Sequence, residues 1–113
     1  MKRKQRPVKT VKVGKVLEIA AIVSEAFGVS AEDVLSKKRD LEIMKGRLCL
    51  YKILYVLGGT HKAIGKVLDR NHTTIMHGVS EFDSLYLHND EFRVMADKAF
   101  KDLLRTVYIE VID

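Results

Sequence analysis

From Lys15 onward, apolar residues return at three- and four-residue intervals. Val16, Leu17, Ala20, Val23 and Phe27 line one side of a first helix, and Gly28 follows it as a C-terminal cap. Ser30, with Asp33 three residues on, opens a short second helix ending near Leu35, with Val34 and Leu35 facing the core. A third helix is predicted from about Asp40 to Leu57. Leu41, Met44, Leu48, Tyr51 and Tyr55 run along one side of it, and Ile53, Leu54 and Leu57 widen the stripe. Gly46 lies inside this helix at a cost of about 1 kcal/mol relative to alanine, which fits either a close backbone approach or a bend.

Gly58 and Gly59 end the third helix. Thr60 caps a short fourth one, whose buried face is Ala63, Ile64, Val67 and Leu68. Asp69, Arg70 and Asn71 then break the chain, and Asn71 suits the N-cap of a fifth helix with Ile75, Val79, Phe82 and Leu85 turned inward. Two helices so closely linked outline a helix-turn-helix between Thr60 and Leu87. After His88, Asn89 and Asp90 comes a last helix with Phe92, Met95, Ala96, Ala99, Phe100, Leu103, Leu104 and Val107 on its apolar side. The expected architecture is a single all-α domain of about six helices over residues 15–107. A basic mobile arm precedes it at residues 1–14, and a tail without assigned structure follows at 108–113.

Charge sharpens this picture. The net formal charge of +5 is divided into blocks: residues 1–15 carry seven Lys or Arg and no acid, and residues 16–36 carry four acids and no base. Residues 37–77 hold nine basic and three acidic residues, and residues 78–113 hold four basic and eight acidic. Such alternation is expected when one face meets a polyanion and the rest stays solvated, although an ordinary charged surface with a basic arm produces it too. No apolar stretch has the length of a membrane span or a secretory signal, so no membrane partner and a cytoplasmic location are expected.

Catalytic chemistry is not visible. The single cysteine, Cys49, stands between Leu48 and Leu50 and fits a buried structural thiol. His61, His72, His77 and His88 lack the helical spacing of a zinc hydrolase, and no glycine-rich loop ends in Gly-Lys-Ser or Gly-Lys-Thr. The chain is expected not to be an enzyme and to need no metal or other cofactor. The strongest local signal is Asp69-Arg70-Asn71-His72-Thr73-Thr74-Ile75-Met76-His77. In a helix-turn-helix the first turn of the second helix faces base edges in the major groove. Asn71, His72, Thr73 and Thr74 supply the short donors, acceptors and methyl groups that such edges require. The same residues also fit a plain helix cap with a solvated histidine.

The run Arg70-Asn71-His72-Thr73-Thr74-Ile75-Met76-His77 resembles the signature Gly-Arg-Asp-His-Thr-Thr-Val-Leu-His of the C-terminal DNA-binding domain of the bacterial replication initiator DnaA. Asp33-Val34-Leu35-Ser36-Lys37-Lys38-Arg39 is similar to that family's Asp-Leu-Leu-Ser-Lys-Arg-Arg. Arg47 is in register with the arginine after Ala-Arg-Pro, and Ile64-Gly65 matches an Ile-Gly in the first helix of the motif. The resemblance covers roughly residues 16–107. It implies sequence-specific binding of double-stranded DNA at DnaA-box-like sites, in replication initiation or its regulation, with replication proteins as further partners.

Site roles also follow from the resemblance. It implies base contacts from Asn71, His72, Thr73 and Thr74 in the major groove and from Arg47 in the minor groove. Backbone contacts are implied for Lys37, Lys38, Arg39, Lys45, Arg70 and His77. Three departures stand out: Gly46 replaces a proline, Asp69 replaces the glycine before Arg70, and Asn71 replaces an aspartate. Aspartate accepts from cytosine N4 whereas asparagine suits adenine, so the preferred site is expected to differ. The family's ATPase domain has no counterpart in these residues, and ATP-driven assembly is not expected of this chain alone. The alternative function is a helical protein-interaction module that uses the apolar last helix and tail, with no specific DNA site.

Overall fold

A computed structural model describes the backbone of residues 13–112 and the side chains of residues 15–106. Six helices follow one another: α1 (Val13–Phe27), α2 (Ala31–Leu35), α3 (Leu41–Val56), α4 (His61–Leu68), α5 (His72–His88) and α6 (Asp90–Ile112). No strand occurs among the described residues. The expected arm falls outside them except for its last two positions, where Val13 and Gly14 already belong to α1. At the other end, the tail expected after residue 107 instead continues α6 to Ile112.

The caps explain the boundaries. Gly28, at φ 69°, supplies the left-handed turn after α1. The Ser30 hydroxyl accepts the Asp33 N–H at 3.0 Å to start α2, and the Thr60 hydroxyl accepts the Ala63 N–H at 3.0 Å to start α4. Between α5 and α6, Asn89 accepts the Phe92 N–H at 2.9 Å. There Arg93 donates to the last-turn carbonyls of α5, Tyr86 at 2.9 Å and Leu87 at 3.2 Å, where a cation also suits the negative end of the helix dipole.

At the centre, α3 packs against α1, α2 and α5 and touches α4 and α6, while α6 runs along α1. Val16, Ile19, Val23, Leu50, Ile53, Ile64, Ile75 and Phe92 are among the buried side chains of one continuous core. Phe92 stands 5.6 Å from Phe27 and 5.2 Å from Phe82 between ring centroids, so an aromatic cluster joins α1, α5 and α6. Phe92, Ala96, Ala99 and Leu103 of α6 are consumed in this core. These four residues take up the inner part of the apolar side of α6, while Val94 and Leu104 stay exposed. Burial pushes the Cys49 thiol up to about 12, which keeps it protonated and unreactive.

The face of α3 departs from expectation. Leu41, Met44, Tyr55 and Leu57 are exposed, and the buried side is Ile43, Gly46, Arg47, Leu50 and Leu54, with Cys49, Tyr51 and Ile53 beside it. The helix is nearly apolar all round after Leu48, so spacing alone does not choose a face; its three neighbouring helices do. Gly46 does not break the helix, which runs unbroken through it. A Cβ there would meet Val34, Val23 and Val29 side chains at 3.4–3.5 Å, ordinary van der Waals contact, so α3 packs against the α1–α2 corner with room for an alanine. Leu17 and Leu104, assigned to apolar faces by spacing, are also exposed.

Candidate nucleic-acid interface

α4 and α5 form the helix-turn-helix, and the turn is built by three adjacent devices. Asp69 takes the left-handed conformation at φ 56° and ψ 54°. Its successor Arg70 returns its N–H to the Gly65 carbonyl at 2.7 Å. A Cβ on Gly65 would stand 2.5 Å from the Arg70 carbonyl oxygen, so the turn closes only over a glycine. Asn71 then caps α5, its Oδ1 accepting from the Thr73 N–H at 2.9 Å and from the Thr73 hydroxyl at 2.7 Å.

α5 is seated by its inward residues and by a second glycine. Ile75, Val79 and Phe82 are buried and Leu85 half-buried, as spacing predicts. Opposite Tyr51, a Cβ on Gly78 would fall 2.5 Å from that ring, so α5 lies against α3 at a distance that only glycine permits. Lys52 of α3 adds an ion pair to Asp83 of α5 at 2.7 Å. With this face fixed inward, Asn71, His72, Thr73, Thr74 and His77 are all exposed.

The basic loop after α2 is held by two arginines. Arg47 is only 8% exposed. Its Nε donates to the Val34 carbonyl at 3.0 Å, Nη1 to that of Lys38 at 2.8 Å, and Nη2 to that of Asp33 at 3.1 Å. Arg70 donates through Nη2 to the Ser36 carbonyl at 2.6 Å and through Nη1 to that of Leu68. Two guanidinium forks therefore tie together carbonyls from the end of α2, the loop after it and the end of α4. Burial, opposed by the Tyr51 hydroxyl and aided by the Arg70 charge, lowers the Arg47 pKa from its usual value. Arg47, expected to reach into a minor groove, is largely buried here and gives three of its five N–H donors to these carbonyls, while still lining a groove between α3 and α5.

Six of the expected contacts, Lys37, Arg39, Arg47, Arg70, Thr74 and His77, line this groove of about 470 Å³, and Lys38, Asn71, His72 and Thr73 are not among its lining residues. Arg39 is exposed and makes no hydrogen bond or ion pair among the described residues. Lys37 pairs with Asp69 at 3.3 Å, and Lys38 with Asp33 at 2.9 Å. The latter hydrogen bond holds the Asp33 carboxyl below its usual range and raises the Lys38 ammonium. Lys45 lies apart from the lining residues, its ammonium 3.6 Å from Glu42 and its side chain largely covered. Among the described residues no cluster of three His, Cys, Asp or Glu could hold a metal, and no helix is long and apolar enough to cross a membrane.

This geometry agrees with comparison to known proteins. A family model described as the bacterial dnaA protein helix-turn-helix matches residues 16–81, from α1 into the middle of α5. The chain belongs to this family. The chromosomal replication initiator protein DnaA of Leptospira biflexa serovar Patoc is 26% identical over 87 residues, in both the Ames and the Paris strains. The alignment takes in 76% of this chain and 18% of those relatives. Against the signature of the DnaA helix-turn-helix, the left-handed residue 69 is where a glycine belongs on conformational grounds, and here it is an aspartate.

That substitution has a measurable cost. A non-glycine residue in the left-handed region is disfavoured by about 1 kcal/mol, and the Asp69 carboxylate occupies Lys37. Asp69→Gly is expected to raise thermal stability by up to about 1 kcal/mol. It should also strengthen binding of any polyanion at the Lys37 edge. Calorimetric melting and titration with a duplex check the two halves separately, and an unchanged melting temperature would mean that local hydrogen bonds offset the strain.

Proposed function

We propose that this chain binds double-stranded DNA in a sequence-specific manner, with the first turn of α5 in the major groove. The observation that carries this reading is the exposed Asn71-His72-Thr73-Thr74 turn standing beside a basic groove on a member of the DnaA helix-turn-helix family. Asn71, His72, Thr73 and Thr74 face base edges. Lys37, Lys38, Arg39 and His77 face phosphates, and Lys45, apart from the groove, faces the DNA backbone. Arg70 acts at the junction, holding the loop to the turn while its charge adds to the field. Arg47 positions the loop from below. The relatives named as chromosomal replication initiators support DnaA-box-like sites and a role in replication initiation or its regulation.

A labelled duplex carrying a DnaA box, compared with a scrambled duplex over a range of salt, tests the proposal. Preferential binding of the box is expected, with log K falling linearly in log salt by about 0.9 for each phosphate contact. Neutralising Lys37, Lys38 and Arg39 together should flatten that slope by up to about 2.7 and weaken both duplexes alike. Equal affinity for box and scrambled duplex would sink sequence specificity. An unaltered slope in the triple variant would remove the loop from the interface.

A further inference from the structure

The amide of Asn71 is committed at one end. Its Oδ1 accepts from the backbone N–H and the hydroxyl of Thr73. A backbone N–H can be met only by the oxygen of an amide, never by its NH2, so the orientation of the side chain is fixed by the cap itself. Asn71 is exposed, and its Nδ2 makes no hydrogen bond among the described residues. At the start of α5 the side chain therefore presents two N–H donors outward and keeps its acceptor for the helix.

We propose that Asn71 is the specificity-determining residue at one base pair and selects guanine there. This rests on the DNA-binding function proposed above. In the major groove guanine shows two adjacent acceptors, O6 and N7, and cytosine shows an amino donor. Adenine shows N7 beside an amino donor, and thymine O4 beside a methyl group. Two donors match guanine. Facing adenine, the amide could meet N7 but would leave the N6 amino group without an acceptor, because Oδ1 serves the cap. Facing cytosine, donor meets donor. The adenine preference expected of a free asparagine is thus removed by the cap. An aspartate in the same place would cap with one oxygen and present the other, an acceptor suited to the cytosine amino group. One atom, Nδ2 in place of Oδ2, inverts the hydrogen-bonding pattern offered to the base.

Site selection from a randomised duplex library, run on the wild-type chain, Asn71→Asp and Asn71→Ser, tests the inference. Aspartate and serine both cap helices well, so melting temperatures are expected to stay within about a degree or two of wild type. One position should be guanine for the wild type and cytosine for Asn71→Asp, each favoured about ten- to a hundredfold, and nearly indifferent for Asn71→Ser. Any base other than guanine at that position in the wild-type site overturns the inference, as do three identical sites, while leaving DNA binding intact. A wild-type library with no enrichment overturns the DNA-binding function itself and the inference with it.

Discussion

Gly65→Ala is expected to destabilise the domain by about 2 kcal/mol, a fall of roughly 8 °C in melting temperature for a chain of this size. The new Cβ would lie 2.5 Å from the Arg70 carbonyl oxygen, a backbone atom that cannot rotate aside. Alanine's better helix propensity returns about 1 kcal/mol, which is less than the strain of pushing the turn open. Opening it also moves Arg70 and Asn71, so whatever protein remains folded should lose preference among duplexes. Gly46→Ala is the informative control. Its Cβ would meet only side-chain methyls at 3.4–3.5 Å, ordinary van der Waals contact, so Gly46→Ala should be neutral or stabilising by up to about 1 kcal/mol. Melting curves of the two variants check the contrast, and equal shifts would refute the role given to the turn.

Arg47→Ala should cost more, on the order of 3 kcal/mol. The carbonyls of Val34 and Lys38 lose their donors at once, while that of Asp33 keeps the Ser36 N–H and hydroxyl, and an unsatisfied buried acceptor costs about 1–3 kcal/mol, less where water enters. Arg47→Lys should recover little, because a single ammonium cannot span three acceptors that a planar fork reaches together. The expected DNA phenotype is a uniform loss of affinity with a flatter salt slope, since the displaced loop carries Lys37, Lys38 and Arg39. Denaturant titration and duplex binding measure both. A variant that melts normally and loses only A·T preference at one end of the site would restore the minor-groove role.

Much of this organisation was legible in the sequence because the signals were local. Cap residues such as Ser30, Thr60 and Asn71 act through their own backbone neighbours, and the inward residues of α5 recur at helical spacing. The face of α3 was not legible, since a helix apolar on several sides takes its orientation from partners distant in the chain. The inward turn of Arg47 was hidden for a different reason. An arginine reads as a surface group, yet it stands four residues after Ile43 and three before Leu50, on the buried side. Its acceptors lie nine to fourteen residues earlier, at the end of α2 and in the loop after it. The exposed first turn of α5 and its Asn71 cap could be anticipated residue by residue, but not that the Thr73 hydroxyl joins the Thr73 N–H on the Asn71 oxygen.

The two guanidinium groups that hold the loop after α2 also join it to the turn before α5, since Arg70 bonds to Leu68 on one side and Ser36 on the other. A basic loop free in solution would lose conformational entropy on meeting a polyanion, which weakens association. Here that ordering is completed during folding. The loop and the reading turn approach a ligand as one preformed surface, so association should need little induced fit. Its heat-capacity change should then match rigid docking rather than coupled folding.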